Sequence, residues 1–188
     1  MIYALYAPLQ LLCMVLCYLT NWIVVLMGTE DGQLPWPFHL WNTWDDTLDN
    51  KADIERMPKF LQYDWDEHYH SYTAQLNGRT IYRETLIKPF TAMEKVKRYF
   101  CRAHWLYRNC AYGFAYYLFG ANIVPPFKLY GDDTCYLAVA SNGPWALKCT
   151  RPITRKLRFE IYLGWKIQRK ITVSHRAMIA CRLWVKTN

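Results

Sequence analysis

The sequence predicts an α+β protein, with an N-terminal transmembrane helix followed by a small domain that has an antiparallel sheet of about four strands and one or two covering helices. Three observations carry this prediction. Residues 1–28 contain no Asp, Glu, Lys or Arg. Thr91-Ala-Met-Glu94 opens a segment with helical apolar spacing, and stretches of alternating character fill Cys135 to Lys186. The chain then divides into a membrane anchor at 1–28, an acidic Trp-rich juxtamembrane segment at 29–73 and a basic α+β domain at 74–188.

At about 1.5 Å per helical residue, Pro8 to Met27 spans roughly 30 Å, the thickness of a bilayer's hydrocarbon core. Gln10, Thr20 and Asn21 are its uncharged polar interruptions. Tyr3, Tyr6 and Trp22 sit where interfacial aromatics belong, and Pro8 suits a first helical turn. A cleaved signal peptide fits less well: there is no basic n-region, the apolar run is long, and Met27-Gly28-Thr29-Glu30 lacks a small-x-small cleavage pattern. A buried core helix is the other alternative.

After the anchor, Leu34-Pro-Trp-Pro-Phe38, Leu40, Trp41 and Trp44 form an aromatic collar whose two prolines oppose a regular helix. Trp22, Trp36, Trp41 and Trp44 are its candidate membrane-interface residues, since Trp favours the headgroup boundary. Asp45, Asp46 and Asp49 follow. Oxygen donors could recruit Ca²⁺ or Mg²⁺, but EF-hand spacing is absent and turn or cap use of Asp is commoner. Asp64, Asp66, His68 and His70 are the densest candidate metal ligands. On a strand, Asp66, His68 and His70 would share one face, a donor mixture suited to Zn²⁺. A solvated, turn-rich acidic segment is the plainer reading.

Thr91-Ala-Met-Glu94 is a capping box. Met93, Val96, Phe100, Ala103 and Tyr107 then define one apolar stripe, with Lys95, Arg98 and Arg102 on another face. Such a basic amphipathic helix suits a membrane surface or the cover of a sheet. Cys110 to Val124 is uncharged but shorter than a normal span and carries two glycines, so it reads as buried core or interfacial, leaving one transmembrane pass.

Cys135–Ala140 and Trp145–Thr150 flank Ser-Asn-Gly-Pro, a tight reversal. Leu157, Phe159, Ile161, Leu163, Trp165 and Ile167 then alternate with polar neighbours, and Ala177–Lys186 alternates again. Helices are expected on the apolar face of this sheet. The opposite face offers Arg158, Tyr162, Lys166, Arg182 and Trp184, and basic residues among aromatics could meet lipid headgroups or single-stranded nucleic acid. Lys95, Arg98, Arg102, Arg158, Lys166 and Arg182 are therefore the candidate anionic-surface residues.

Charge is uneven. Residues 29–73 carry ten acidic and three basic side chains, whereas 74–188 carry five acidic and twenty basic ones. That asymmetry means mutual neutralisation or contact with an anionic surface. The positive-inside rule is nearly silent, because the first basic residue after the helix is Lys51. Five cysteines outside the anchor without a CxxC read as scattered reduced thiols, which favours a cytoplasmic domain. No GxSxG, P-loop, dinucleotide fingerprint or HExxH occurs, so no cofactor is expected.

Asp31-Gly-Gln-Leu-Pro-Trp36, Trp41-Asn-Thr-Trp-Asp-Asp-Thr-Leu-Asp49, Trp105-Leu-Tyr-Arg-Asn-Cys-Ala-Tyr-Gly-Phe114 and Phe159-Glu-Ile-Tyr-Leu-Gly-Trp165 resemble a family of uncharacterised tailed-bacteriophage proteins that begin with a membrane segment. Cys110 departs from that family's usual Pro after Arg-Asn. The resemblance implies architecture and a bacterial inner membrane of an infected host, without assigning chemistry. The function expected is a single-pass membrane-anchored accessory protein, non-enzymatic, engaging membrane lipid or a host membrane protein. The alternatives are a membrane-bound metal-dependent hydrolase and a membrane-tethered nucleic-acid binder.

Overall fold

The computed structural model describes residues 2–43, 47–76, 79–167 and 173–187. The chain is α+β and forms two compact units, one of Met1–Val15 with Ala111–Asn188 and one of Leu16–Cys110. The N-terminal helix contributes to both units.

That helix, α1, runs Ile2–Val24 and continues as a 3₁₀ turn over Val25–Met27. Pro8 lies inside it rather than in its first turn, so the Ala4 carbonyl loses its helical donor. Ala7 and Gln10 are buried in the first unit, and Cys17, Asn21 and Val24, at spacings of four and three, in the second. Gln10 and Asn21, two of the helix's three polar interruptions, are among them.

In the Leu16–Cys110 unit, short helical turns precede a hairpin and a long helix. Phe38–Leu40 and Lys59–Leu61 are 3₁₀ turns, and α2 (Lys51–Ile54) and α3 (Trp65–His68) are single turns. Strand β1 (Tyr69–Leu76) pairs antiparallel with β2 (Arg79–Leu86). Helix α4 spans Ala92–Arg108 and begins with the expected capping box. Thr91 Oγ1 accepts from the Glu94 amide, while Glu94 accepts from the Thr91 amide. One core cluster joins Val24, Val25, Leu34, Leu48, Ala103, Trp105 and Leu106, and another joins Ile54, Tyr63, Trp65, Tyr69, Phe90 and Cys101.

The other unit holds the sheet. Strands β4 (Phe127–Gly131), β5 (Cys135–Ala140), β6 (Trp145–Pro152), β7 (Leu157–Trp165) and β9 (Ile179–Thr187) lie antiparallel in the order β4-β5-β6-β7-β9. That is one strand more than expected. Short β3 (Ala121–Ile123) and β8 (His175–Ala177) pair separately, and Phe114–Leu118 forms a π-helical turn. Opposed across the strands, Ala138, Ala146, Gly164 and Ala180 make a buried row of small residues. There the start of α1 comes close: Tyr3 donates to the Ala180 carbonyl at 2.9 Å and packs edge-on against Trp145 and Trp165.

Neither apolar stripe is covered throughout. On α4 the buried side chains include Arg98, Cys101, Arg102, Trp105 and Leu106, while Met93, Val96, Phe100 and Tyr107 are exposed. On the sheet, Leu137, Leu183 and Val185 of the apolar face are exposed although Trp165 and Ile179 of that face are buried, and Glu160 and Tyr162 of the opposite face are buried. The physical reason is that periodicity distinguishes two faces without saying which is covered. Here small residues and ion-paired charges let the nominally polar faces pack inward.

Candidate functional site

The most extended surface feature is the outward face of α1. Leu5, Leu12, Leu19 and Leu26, spaced at seven, are all more than 60% exposed. Leu9, Val15, Leu16, Tyr18, Trp22 and Ile23 are exposed between and beside them. The core helix of a soluble protein would bury such side chains, each worth about 1.5–3 kcal/mol when removed from water. The helix is long and apolar enough to cross a membrane.

Helix α4 extends this apolar surface within its own unit. Tyr107 donates to the Tyr18 carbonyl at 3.1 Å, and Tyr99 donates to the Trp22 carbonyl at 2.9 Å. The Tyr18 and Tyr107 rings stack. These contacts set α4 along the second half of α1, with its own Met93, Val96 and Phe100 uncovered. Lys95 is exposed on the same helix.

Beneath that surface lies Asp49, which is buried. The Arg98 Nε and the Arg102 Nε donate to its Oδ1 at 3.0 and 2.8 Å. Their second nitrogens reach Oδ2 at 2.9 and 2.6 Å. Tyr63 and Tyr69 hydroxyls donate to the same carboxylate. Burial alone would push the Asp49 carboxyl up, but the two guanidiniums outweigh it and hold it at about 2. Desolvation, reinforced by Asp49, pushes both tyrosines well above their ordinary value. Gly32, at φ +71, passes so close that a Cβ there would lie 2.7 Å from the Asp49 carboxylate. Arg98 and Arg102 are thus internal counter-ions rather than anionic-surface residues, because a buried carboxylate requires them.

The other expected site residues are dispersed. Trp22 and Trp36 are exposed, Trp41 packs against the core cluster and donates to Thr20 Oγ1 at 2.9 Å, and Trp44, with Asp45 and Asp46, lies outside the described residues. Arg182 donates to the Tyr112 hydroxyl at 3.0 Å, and Lys166 stands over the Tyr112 ring. Arg158 is half-buried. These three do not present one open basic surface.

The metal-ligand expectation is redistributed. Residues 65–68 are a helical turn, so Asp66, His68 and His70 do not share a strand face. Asp64 caps α3, Asp66 pairs with Lys51, and His70 is exposed on β1. His68 is fully buried, and it comes together instead with Glu67 and Glu94. Glu94, the cap partner of Thr91, is held by the Thr91 hydroxyl and amide at about 2.

Cys135 and Cys149, opposed in register on β5 and β6, form a disulfide. The expectation of scattered reduced thiols outside the anchor agrees with Cys101, Cys110 and Cys181 but fails for this pair, which strand register brings face to face.

A family model described as "Family of unknown function" matches residues 1–186. The chain belongs to DUF7338. No curated protein and no solved structure matches it. Membership in DUF7338 agrees with the resemblance to an uncharacterised family and supplies no activity. In this DUF7338 chain, sequence reasoning missed Asp49 as a structural centre, Glu94 as a neighbour of His68 and the β1–β2 hairpin. A signal existed for two of them: Arg98 and Arg102 stand four apart on one helix face and demand an acidic partner, and the sequence Asn77-Gly78 favours a hairpin turn.

Proposed function

We propose that this protein is a membrane-anchored, non-catalytic accessory protein, with α1 as the anchor and anionic lipid as the surface it meets. The observation that carries the reading is the outward face of α1, whose large apolar side chains are exposed along the helix while Gln10 and Asn21 are covered. That distribution suits a lipid environment, where small and polar residues mediate helix packing. The exposed Met93, Val96 and Phe100 beside Lys95 on α4 suit the headgroup boundary, where apolar side chains insert and a cation meets phosphate.

The packing of α1 also favours an anchor lying in the plane of the membrane over the single pass expected from length. Each unit covers its own part of the helix. Tyr18 lies roughly 14 Å inside Met27 along the helix, so a crossing helix would carry Tyr107 and the adjoining Arg108 towards the bilayer centre. An Arg there costs about 2.5–3.5 kcal/mol or more. An in-plane helix instead keeps α4 and the rest of the Leu16–Cys110 unit out of the hydrocarbon.

The resemblance to tailed-bacteriophage proteins supports the inner membrane of an infected bacterium as that membrane. The Cys135–Cys149 disulfide supports placing the sheet unit on its oxidising side, against the cytoplasmic side suggested by cysteine spacing. Burial of Arg98 and Arg102 and the packing of Lys166 and Arg182 on Tyr112 leave less basic surface for nucleic acid.

Flotation of the full chain with sealed vesicles tests the reading. Recovery with anionic vesicles, and weaker recovery with zwitterionic ones, is expected; recovery in the soluble fraction under both conditions overturns it. Protease access to N- and C-terminal tags then separates the two placements. Tags on the same side support the in-plane anchor, and tags on opposite sides establish a crossing one.

A further inference from the structure

We propose that His68, Glu67 and Glu94 form a binding site for a divalent transition-metal ion of the Zn²⁺ class. The three residues come from the end of α3 and the first turn of α4, and each offers one ligand atom within 4.8 Å of the other two. Glu67 and Glu94 alone would be an ordinary acidic pair. The independent observation is His68.

His68 is fully buried, and its Nε2 makes no hydrogen bond of ordinary geometry, only the longer approach to Glu94. Its Nδ1 lies 3.0 Å from the Lys88 carbonyl oxygen, an acceptor with no proton to give. Nδ1 therefore carries a hydrogen, and Nε2 is the ring nitrogen turned towards the carboxylates. Backbone hydrogen bonding at one ring nitrogen is the usual way that a metal-ligating imidazole is fixed in tautomer and direction. Phe90 stacks on the ring at 3.9 Å between centroids, and Tyr63 meets it edge-on, so the imidazole is held in place. Its free nitrogen faces Glu94 Oε1 at 3.4 Å.

Glu94 is oriented as well. Its Oε2 accepts from the Thr91 hydroxyl at 2.7 Å and from the Thr91 amide at 2.8 Å, which leaves Oε1 for the site. Glu67 is exposed and pairs with Lys88, whose side chain is half in solvent. Metal entry requires the ammonium to swing away and Glu67 to close the remaining gap, since Zn–ligand bonds are about 2.0–2.2 Å long. One imidazole and two carboxylates neutralise a divalent charge and leave coordination positions for water. This donor set fits Zn²⁺ and, less selectively, Mn²⁺ or Fe²⁺. Bound metal would tie the α3 turn to the start of α4.

The alternative state of the same atoms is a protonated His68 paired with Glu94, and metal titration separates the two. The untagged, metal-free full chain in detergent is titrated with Zn²⁺ by calorimetry and with Co²⁺ by visible absorption. One saturable equivalent of Zn²⁺, with intensified d–d bands for Co²⁺, is expected. Glu67→Gln, at an exposed position, should weaken binding by about tenfold or more. His70→Ala and Asp64→Asn should leave it unchanged. Absence of saturable binding of either ion, or binding that Glu67→Gln leaves unaltered, overturns the site. Glu67→Gln keeps the test independent of folding, which the buried His68→Ala variant does not.

Discussion

Replacing Asp49 with Asn should destabilise the Leu16–Cys110 unit more than any single surface substitution in it. The change leaves Arg98 and Arg102 buried without their shared carboxylate and removes an acceptor from Tyr63 and Tyr69. Exposed Glu30 also pairs with Arg98, but it cannot serve both guanidiniums. Removing one partner from a buried ion pair costs about 3–5 kcal/mol. In a chain of 188 residues that corresponds to a Tm lower by roughly 10 °C. The acid limb gives a second reading of the same group. Asp49 sits at about 2 against an ordinary 3.8, so its native pKa is depressed. Its contribution is complete above about pH 4 and is lost as pH falls through 2. The shift of nearly two units corresponds to about 2 kcal/mol. Thermal unfolding of the full chain in detergent, followed by near-UV circular dichroism between pH 7 and pH 2, measures both. The parent should lose stability across that acid window, and Asp49→Asn should show a flatter profile from a lower start. Replacing the trio together, as Asp49→Leu, Arg98→Met and Arg102→Met, should recover much of the loss, since no buried charge is then left unpaired. A Tm for Asp49→Asn within about 2 °C of the parent would refute the assignment of this carboxylate as the unit's electrostatic centre.

Gly32→Ala should lower stability by about 1–3 kcal/mol, because the position has φ +71 and its Cβ would press on the Asp49 carboxylate; an unchanged denaturant midpoint contradicts this. Leu12→Glu and Leu19→Glu should each abolish flotation with anionic vesicles while leaving the near-UV spectrum intact, since both side chains point out of the fold. Phe100→Ser should weaken vesicle binding without lowering Tm, and a lower Tm with normal binding would mean that the α4 stripe is covered by protein. Thiol alkylation of the denatured, unreduced protein should modify five cysteines and spare Cys135 and Cys149. The Cys135→Ser/Cys149→Ser pair should then lose about 2–4 kcal/mol, and seven modified cysteines would exclude the disulfide.

Much of the element pattern was legible because it depends on neighbours in sequence. The start of α4 was given by Thr91 and Glu94, which satisfy one another's backbone donors within four residues. Strands β5, β6, β7 and β9 follow from two-residue alternation and from the turn at residues 141–144. The hairpin at Tyr69–Leu86 was hidden by its mixed polarity and by an acidic run that reads as solvated turn. The metal candidates failed as a set for a related reason. Only a strand would set Asp66, His68 and His70 on one face, whereas Asp64 caps a helical turn there and sends Asp66 and His68 in different directions. Glu94, the carboxylate that faces His68, is 26 positions away.

By itself the sequence determined an uncharged apolar helix, a capped amphipathic helix and a run of antiparallel strands, because composition, capping and periodicity act over a few residues. Tertiary structure decided which faces are covered and which charges are neutralised. An apolar stripe facing a core and one facing lipid have the same spacing, so Met93, Val96 and Phe100 could not reveal their side from order alone. Asp49 meets Arg98 and Arg102 across 49 and 53 positions of chain. Only the fold brings those groups within hydrogen-bond distance, and their pairing turns the basic face of α4 inward.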